Sequence, residues 1–155
     1  MFENGVYNMK NTFWDTMIEF DNEYDIYRKK IMERYHLSAV EVDVMLFLAN
    51  NSQYDTAAEV SRIKKIPKSH VSLAVSGLYE KGYLVKYTGE ENRKKVHLKV
   101  TDKSNSMIAY GRAMQSDFLN TLFFDFSEDE KIQFFEFSER MVENIHKNKK
   151  HMEDR

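Results

Sequence analysis

Only one proline, Pro67, and five glycines interrupt this chain of 155 residues. Proline and glycine cost a helix interior most, so their scarcity makes long helices the default. The helix starts are legible as capping boxes. In Ser38-Ala39-Val40-Glu41, Thr56-Ala57-Ala58-Glu59 and Ser127-Glu128-Asp129-Glu130, a hydroxyl residue precedes a Glu by three positions. Each side chain of such a pair satisfies a backbone N–H that the first helical turn leaves free. Pro67 suits a first helical turn, where its missing N–H is harmless, and Gly82 suits a helix C-terminus.

Apolar spacing near 3.6 residues predicts helices over 7–35, 38–50, 56–64, 67–81 and 101–124. A last helix starts at 127, and the charged tail from Lys147 is expected to fray. The second helix should bury Val42, Met45, Leu46 and Ala49, and the third Ala57, Val60 and Ile63. Thr101 is the expected cap of the fifth. After Gly82 the period changes. Residues 83–87 read as a strand, 88–93 as a turn, and 95–100 as a half-buried strand that alternates polar and apolar side chains. The fold class is therefore mainly α with a small β-hairpin. A winged helix-turn-helix lobe is expected over 38–101, and a helical region over 1–35 and 102–148, within a single domain over 1–155.

Several function classes fall away. No apolar run approaches the roughly 18 residues that span a bilayer, and the start MFENGVYNMK lacks the pattern of a secretory signal. A cytoplasmic protein with no membrane association is expected. With no cysteine, disulfides, thiolate metal sites and thiol redox switches are excluded. There is no Gly-rich phosphate loop, nucleophile motif or pair of metal ligands on one helical face. His36, His70, His97, His146 and His151 are scattered. No enzyme activity, cofactor or metal is expected.

Charge points elsewhere. The net charge is −2, yet residues 62–100 hold ten basic and three acidic side chains, +7, which leaves −9 for the rest. A basic segment inside an acidic protein is the electrostatic footprint of a phosphate-binding surface. Within it, Val71, Ala74, Val75 and Leu78 repeat at i, i+3, i+4, i+7 and should face a core. Ser69, Ser72, Leu73 and Ser76 share the opposite face, which is short and free of acid, so the helix can approach base edges in a major groove about 12 Å wide. Lys65, Lys68 and His70 cluster at its N-terminal end, where the helix dipole also favours phosphate. Arg93, Lys94 and Lys95 follow in a row at the hairpin, where an Arg can enter the minor groove. These ten residues are the candidate DNA-binding set. Large apolar groups crowd the C-terminal helices, including Phe118, Phe123, Phe124, Phe134, Phe135 and Phe137. A monomer of this size can hardly bury them all, which points to a homodimer.

On these motifs the chain resembles the MarR family of bacterial regulators. The matching residues are Leu37-Ser38, Thr56 to Glu59, Lys68 to Ser72, Leu78 to Val85, and Asn92-Arg93-Lys94 followed by Thr101. The resemblance implies a winged-helix DNA-binding protein, dimeric through its first and last two helices, on a pseudo-palindromic operator, with repression as the expected mode. Arg93 matches the arginine that members insert into the minor groove. The family often has an Arg where this chain has Leu73, and its wing turn is about one residue longer. The resemblance also implies a small-molecule effector bound between the dimer helices and the DNA-binding lobe, for which Trp14, Met17, Met45 and Met107 are the candidate lining, although Met and aromatic stripes at helical spacing are more often core. The alternative is a winged-helix module that binds protein without binding DNA.

Overall fold

The computed structural model describes residues 2–89 and 95–153, with side chains for 12–89 and 95–149. Among them the chain forms α1 (Phe2–Tyr35), α2 (Ala39–Asn50), α3 (Ala57–Lys64), α4 (Lys68–Glu80), β1 (Leu84–Thr88), β2 (Val96–Val100), a 3-10 turn (Asp102–Ser104), α5 (Asn105–Leu122) and α6 (Glu128–Glu153). It divides into two compact units, one up to Phe118 and one from Leu119 onward.

The first unit is built around α2. Val42, Val44, Met45, Leu46, Phe47 and Leu48 are all buried. A helix that is apolar on nearly every side has to be surrounded. Around it close Ile31 of α1, Val60 of α3, the inner face of α4, Leu84 and Leu98 of the hairpin, and Met107 and Ile108 of α5. Arg28 of α1 reaches Asp43 of α2 at 3.0 Å and also pairs with Asp25. In the second unit, Phe123 packs edge-on to Phe126 and Phe134, with centroids 5.5 and 5.2 Å away. Asp125 turns the chain there with a φ of 62°.

The three capping boxes form. Glu41 N–H donates to Ser38 Oγ at 3.2 Å, and Ser38 N–H returns to Glu41 Oε2 at 2.8 Å. Thr56 and Glu59 do the same for α3, and Ser127 and Glu130 for α6. Helix α4 ends as its glycine requires. Gly82 adopts φ 76°, its N–H donates to Tyr79 O at 3.0 Å, and Tyr83 N–H donates to Leu78 O at 2.9 Å. This is a Schellman closure, which needs the left-handed conformation that glycine adopts without penalty.

Some boundaries differ from expectation. Pro67 precedes α4 as its N-cap rather than lying in its first turn. Thr101 does not cap a helix with its side chain. Its hydroxyl donates instead to Gly82 O at 2.7 Å, and its carbonyl accepts Ser104 N–H at 3.0 Å. A 3-10 turn therefore intervenes before α5. Helix α6 continues through the charged tail to Glu153, because Lys and Glu have nearly full intrinsic helix propensity.

Glu41 does more than cap. It is 6% exposed, and its oxygens accept from Lys81 Nζ at 2.7 and 2.9 Å. Burial alone would push its carboxyl up. The bonds from Lys81 and Ser38 outweigh that and hold it below its ordinary value. The Lys81–Glu41 pair thus ties the end of α4 to the start of α2. A Cβ at position 77 would lie 2.6 Å from Glu41 Oε1, an oxygen that Lys81 holds in place. Gly77→Ala should therefore lower stability by about 1 kcal/mol, despite Ala's roughly 1 kcal/mol advantage in an open helix. A thermal melt checks this, and a rise in Tm would contradict it.

Candidate nucleic-acid interface

Helices α3 and α4 are joined by a three-residue turn. Lys65 ends α3 in the left-handed conformation, φ 58° and ψ 30°. Ser61 Oγ donates across the turn to Ile66 O at 2.7 Å. The sharp reversal sets α4 with Val71, Ala74, Val75 and Leu78 in the core, all at 5% exposure or less. The opposite face is therefore outward. Lys68, Ser69, His70, Ser72 and Leu73 are exposed and Ser76 is half-buried. Leu73, at 75% exposure, stands clear among serines. Helix α4 has no acidic residue before Glu80. Lys65 is also exposed, in the turn just before that helix. Seven of the ten candidate DNA-binding residues thus lie along α4 and the turn before it.

The hairpin follows directly. Strands β1 and β2 are antiparallel, with Leu84 opposite Val100 and Thr88 opposite Val96. Leu98 is 4% exposed and Leu84 1%, but Val96 is 46% exposed. The alternation in β2 is real, yet its apolar face is covered only at the base, because the strands leave the lobe towards the turn. Lys95 lies exposed just before β2. Arg93 and Lys94 lie outside the described residues.

A cluster that sequence reasoning did not single out stands at the hairpin's flank. Asp55, in the loop before α3, accepts from His97 Nδ1 at 2.8 Å and from the Tyr87 hydroxyl at 3.1 Å. Burial raises its carboxyl, but these two bonds, with His97 and Lys95 nearby, hold it below the ordinary carboxylate range. Nothing local in the sequence connects position 55 with 87 and 97.

The four expected effector residues are not brought together. Met45 and Met107 are fully buried in the core, whereas Trp14 and Met17 are 60% and 51% exposed on α1. A cleft of about 440 Å³ does exist on the lobe, between the first turn of α2 and the His70, Leu73 and Ser76 side of α4, and none of the four lines it. Among the described residues no group of three His, Asp or Glu side chains could hold a metal ion, and no described helix is long and apolar enough to cross a membrane.

Comparison with known proteins fits this geometry. Residues 37–104 match the family model of a winged helix DNA-binding domain. No curated protein matches the chain by sequence. Solved structures do match by fold. A MarR transcriptional regulator from Methanosarcina mazei Go1 is similar with a TM-score of 0.72 and 21% identity, over 89% of this chain and 92% of that one. A MarR-family transcriptional regulator from Listeria monocytogenes, complexed with 26mer DNA, gives 0.77 and 18%, over 88% and 89%. The S. aureus MepR–DNA complex gives 0.68 and 15%, over 86% and 95%. The basic lobe around α4 is thus similar to winged helix DNA-binding domains, and the chain that carries it has the fold of the MarR-family transcriptional regulators.

Proposed function

We propose that this protein is a transcriptional regulator that binds duplex DNA as a homodimer, with α4 in the major groove and the hairpin against the flanking backbone and minor groove. The observation that carries this reading is the outer face of α4, which is exposed, short and free of acid, with Lys65 and Lys68 at its leading end. DNA complexes of structurally similar proteins support it.

The dimer is supported by apolar side chains left open on the terminal helices. Phe13, Trp14, Met17 and Ile18 are exposed on α1, and Ile132, Phe135, Phe137, Met141, Val142 and Ile145 on α6. Apolar stripes of this extent mark association surfaces in soluble proteins. A twofold dimer sets two α4 helices about one turn of DNA apart, roughly 34–36 Å, so the operator is an inverted repeat and binding represses transcription where it covers a promoter. The same reading includes release by a small-molecule effector. Trp14 and Met17 are the two expected lining residues open to a ligand, and Trp14, the only tryptophan, would report one by fluorescence.

Selection of bound sequences from a random duplex pool tests the reading. An inverted repeat is the expected outcome, with affinity falling steeply as salt rises. Absence of binding to any duplex at low salt overturns it and favours a protein-binding winged helix.

Leu73 sharpens the expectation. Thymine's 5-methyl is the apolar group that the major groove offers, and Leu73 is the large aliphatic side chain exposed on α4's groove-facing side. Replacing one thymine of each half-site by uracil should weaken the parent about 15-fold, the value of two buried methyls at about 0.8 kcal/mol each. Leu73→Ala should be indifferent to the change. Equal sensitivity of both proteins at every thymine would remove Leu73 from base readout.

A further inference from the structure

Asp55 lies outside the face of α4 and outside the basic turn, yet it is bonded on every polar atom. Its N–H donates to Glu59 Oε2 at 3.1 Å, the same oxygen that closes the cap of α3. Its carbonyl accepts Leu98 N–H of β2 at 2.7 Å. One carboxylate oxygen accepts from His97 of β2 and the other from Tyr87 of β1. Tyr87 and His97 face each other across the ladder, with their rings stacked at 5.2 Å and 25°. One loop residue therefore joins the first turn of α3 to both strands of the hairpin.

The hairpin has little else to hold its outer half. Its buried apolar anchors, Leu84 and Leu98, sit towards the base, while Val85, Tyr87 and Val96 are each more than 40% exposed. A two-stranded hairpin is marginal without such anchorage. Tyr87 and His97 lie one pair from the end of the ladder, so a bond there has leverage on the direction in which the strands leave the lobe. The acceptor is a full charge in a partly shielded site, which makes these bonds stronger than neutral ones.

We propose that Asp55 is a positioning residue for DNA binding: it holds the hairpin against the start of α3, so that the outer half of the hairpin, with Lys95 exposed beside β2, and the outer face of α4 meet one duplex together. The proposal rests on the DNA-binding reading above. It makes an expectation of unusual sign. Asp55 is an acid in a lobe that binds a polyanion, so by charge alone its removal would tighten binding. Positioning requires the opposite.

The test is a salt series of affinities for the duplex recovered by selection, measured on the full chain. The variants are Asp55→Ala, Asp55→Asn, Arg93→Ala and the Asp55→Ala/Arg93→Ala double. Asp55→Ala should weaken binding about tenfold and flatten the salt dependence by about one phosphate contact. It should add little once Arg93 is gone, because both changes disable the same wing. Asp55→Asn keeps an oxygen acceptor and should recover much of the loss. Should Asp55→Ala fail to fold through damage to α3, Tyr87→Phe with His97→Phe removes the same bonds from the hairpin side, keeps two aromatic rings, and should give the same weakening. Binding by Asp55→Ala that equals or exceeds the parent's overturns the proposal, as do losses from Asp55→Ala and Arg93→Ala that simply multiply. If the parent itself binds no duplex, the DNA-binding reading falls, and this proposal with it. If the parent binds and Asp55→Ala is indifferent, this proposal falls alone.

Discussion

Ser72→Glu should abolish operator binding at physiological salt and leave the melting temperature where it was. Ser72 is exposed on α4, within the first two turns, where a Glu is if anything favoured by the helix dipole. A surface change of this kind usually alters stability by no more than about 0.5 kcal/mol. Against DNA the same carboxylate faces phosphates. A like charge about 7 Å away costs about 2 kcal/mol at an effective dielectric near 20, or roughly 30-fold for one phosphate, and an α4 in the groove meets more than one. Random-sequence duplex should be lost together with the operator, because the repulsion acts on the backbone rather than on base edges. A Ser72→Glu protein that binds as tightly as the parent would take this face of α4 out of the interface.

Val75→Asp, three residues further on, should do the reverse and remove the fold before it removes the contact. Val75 is 5% exposed, in the cluster that joins α2, α4 and the hairpin. No described cation there is set to pair with a new carboxylate, and an unpaired buried charge costs about 3–5 kcal/mol. Domain stabilities are about 5–15 kcal/mol, so much of the total is spent by one substitution. For a chain of this length the melting temperature should fall by about 10–15 °C, with loss of helical circular dichroism on mild warming. DNA binding would vanish only in step with folding. Both variants add one acid to one helix, and burial is the variable that separates them. A Val75→Asp protein that melts within two or three degrees of the parent would contradict the placement of this face in the core.

The features legible in the residues are those that act over one or two helical turns. The capping boxes at Ser38, Thr56 and Ser127 need only a side chain that meets a backbone N–H three positions away. The inward face of α4 follows from 3.6-residue spacing, and the left-handed end of that helix from Gly82. The hairpin is legible as a change of period. Where a competing partner lay elsewhere in the chain, local reading failed. Thr101 looked like a cap but spends its hydroxyl on Gly82, 19 residues away. For Met45 the apolar spacing of α2 already predicts burial, and it is buried, as is Met107. Gly77 in mid-helix has no local reason at all, and its reason is the Glu41 carboxylate 36 positions earlier.

By itself, then, the sequence determined where helices begin, which face of α4 is apolar, and that positive charge gathers between Arg62 and Lys99. These depend on backbone geometry and side-chain type, which are local properties. Only the tertiary structure decided what those pieces do together. It sets Lys81 on Glu41, so that the groove-facing helix is locked to the central one. It brings Asp55 to Tyr87 and His97, so that the hairpin is locked to α3. Such contacts link residues 32 to 42 positions apart, and no periodicity in a sequence encodes the distance at which a chain folds back on itself.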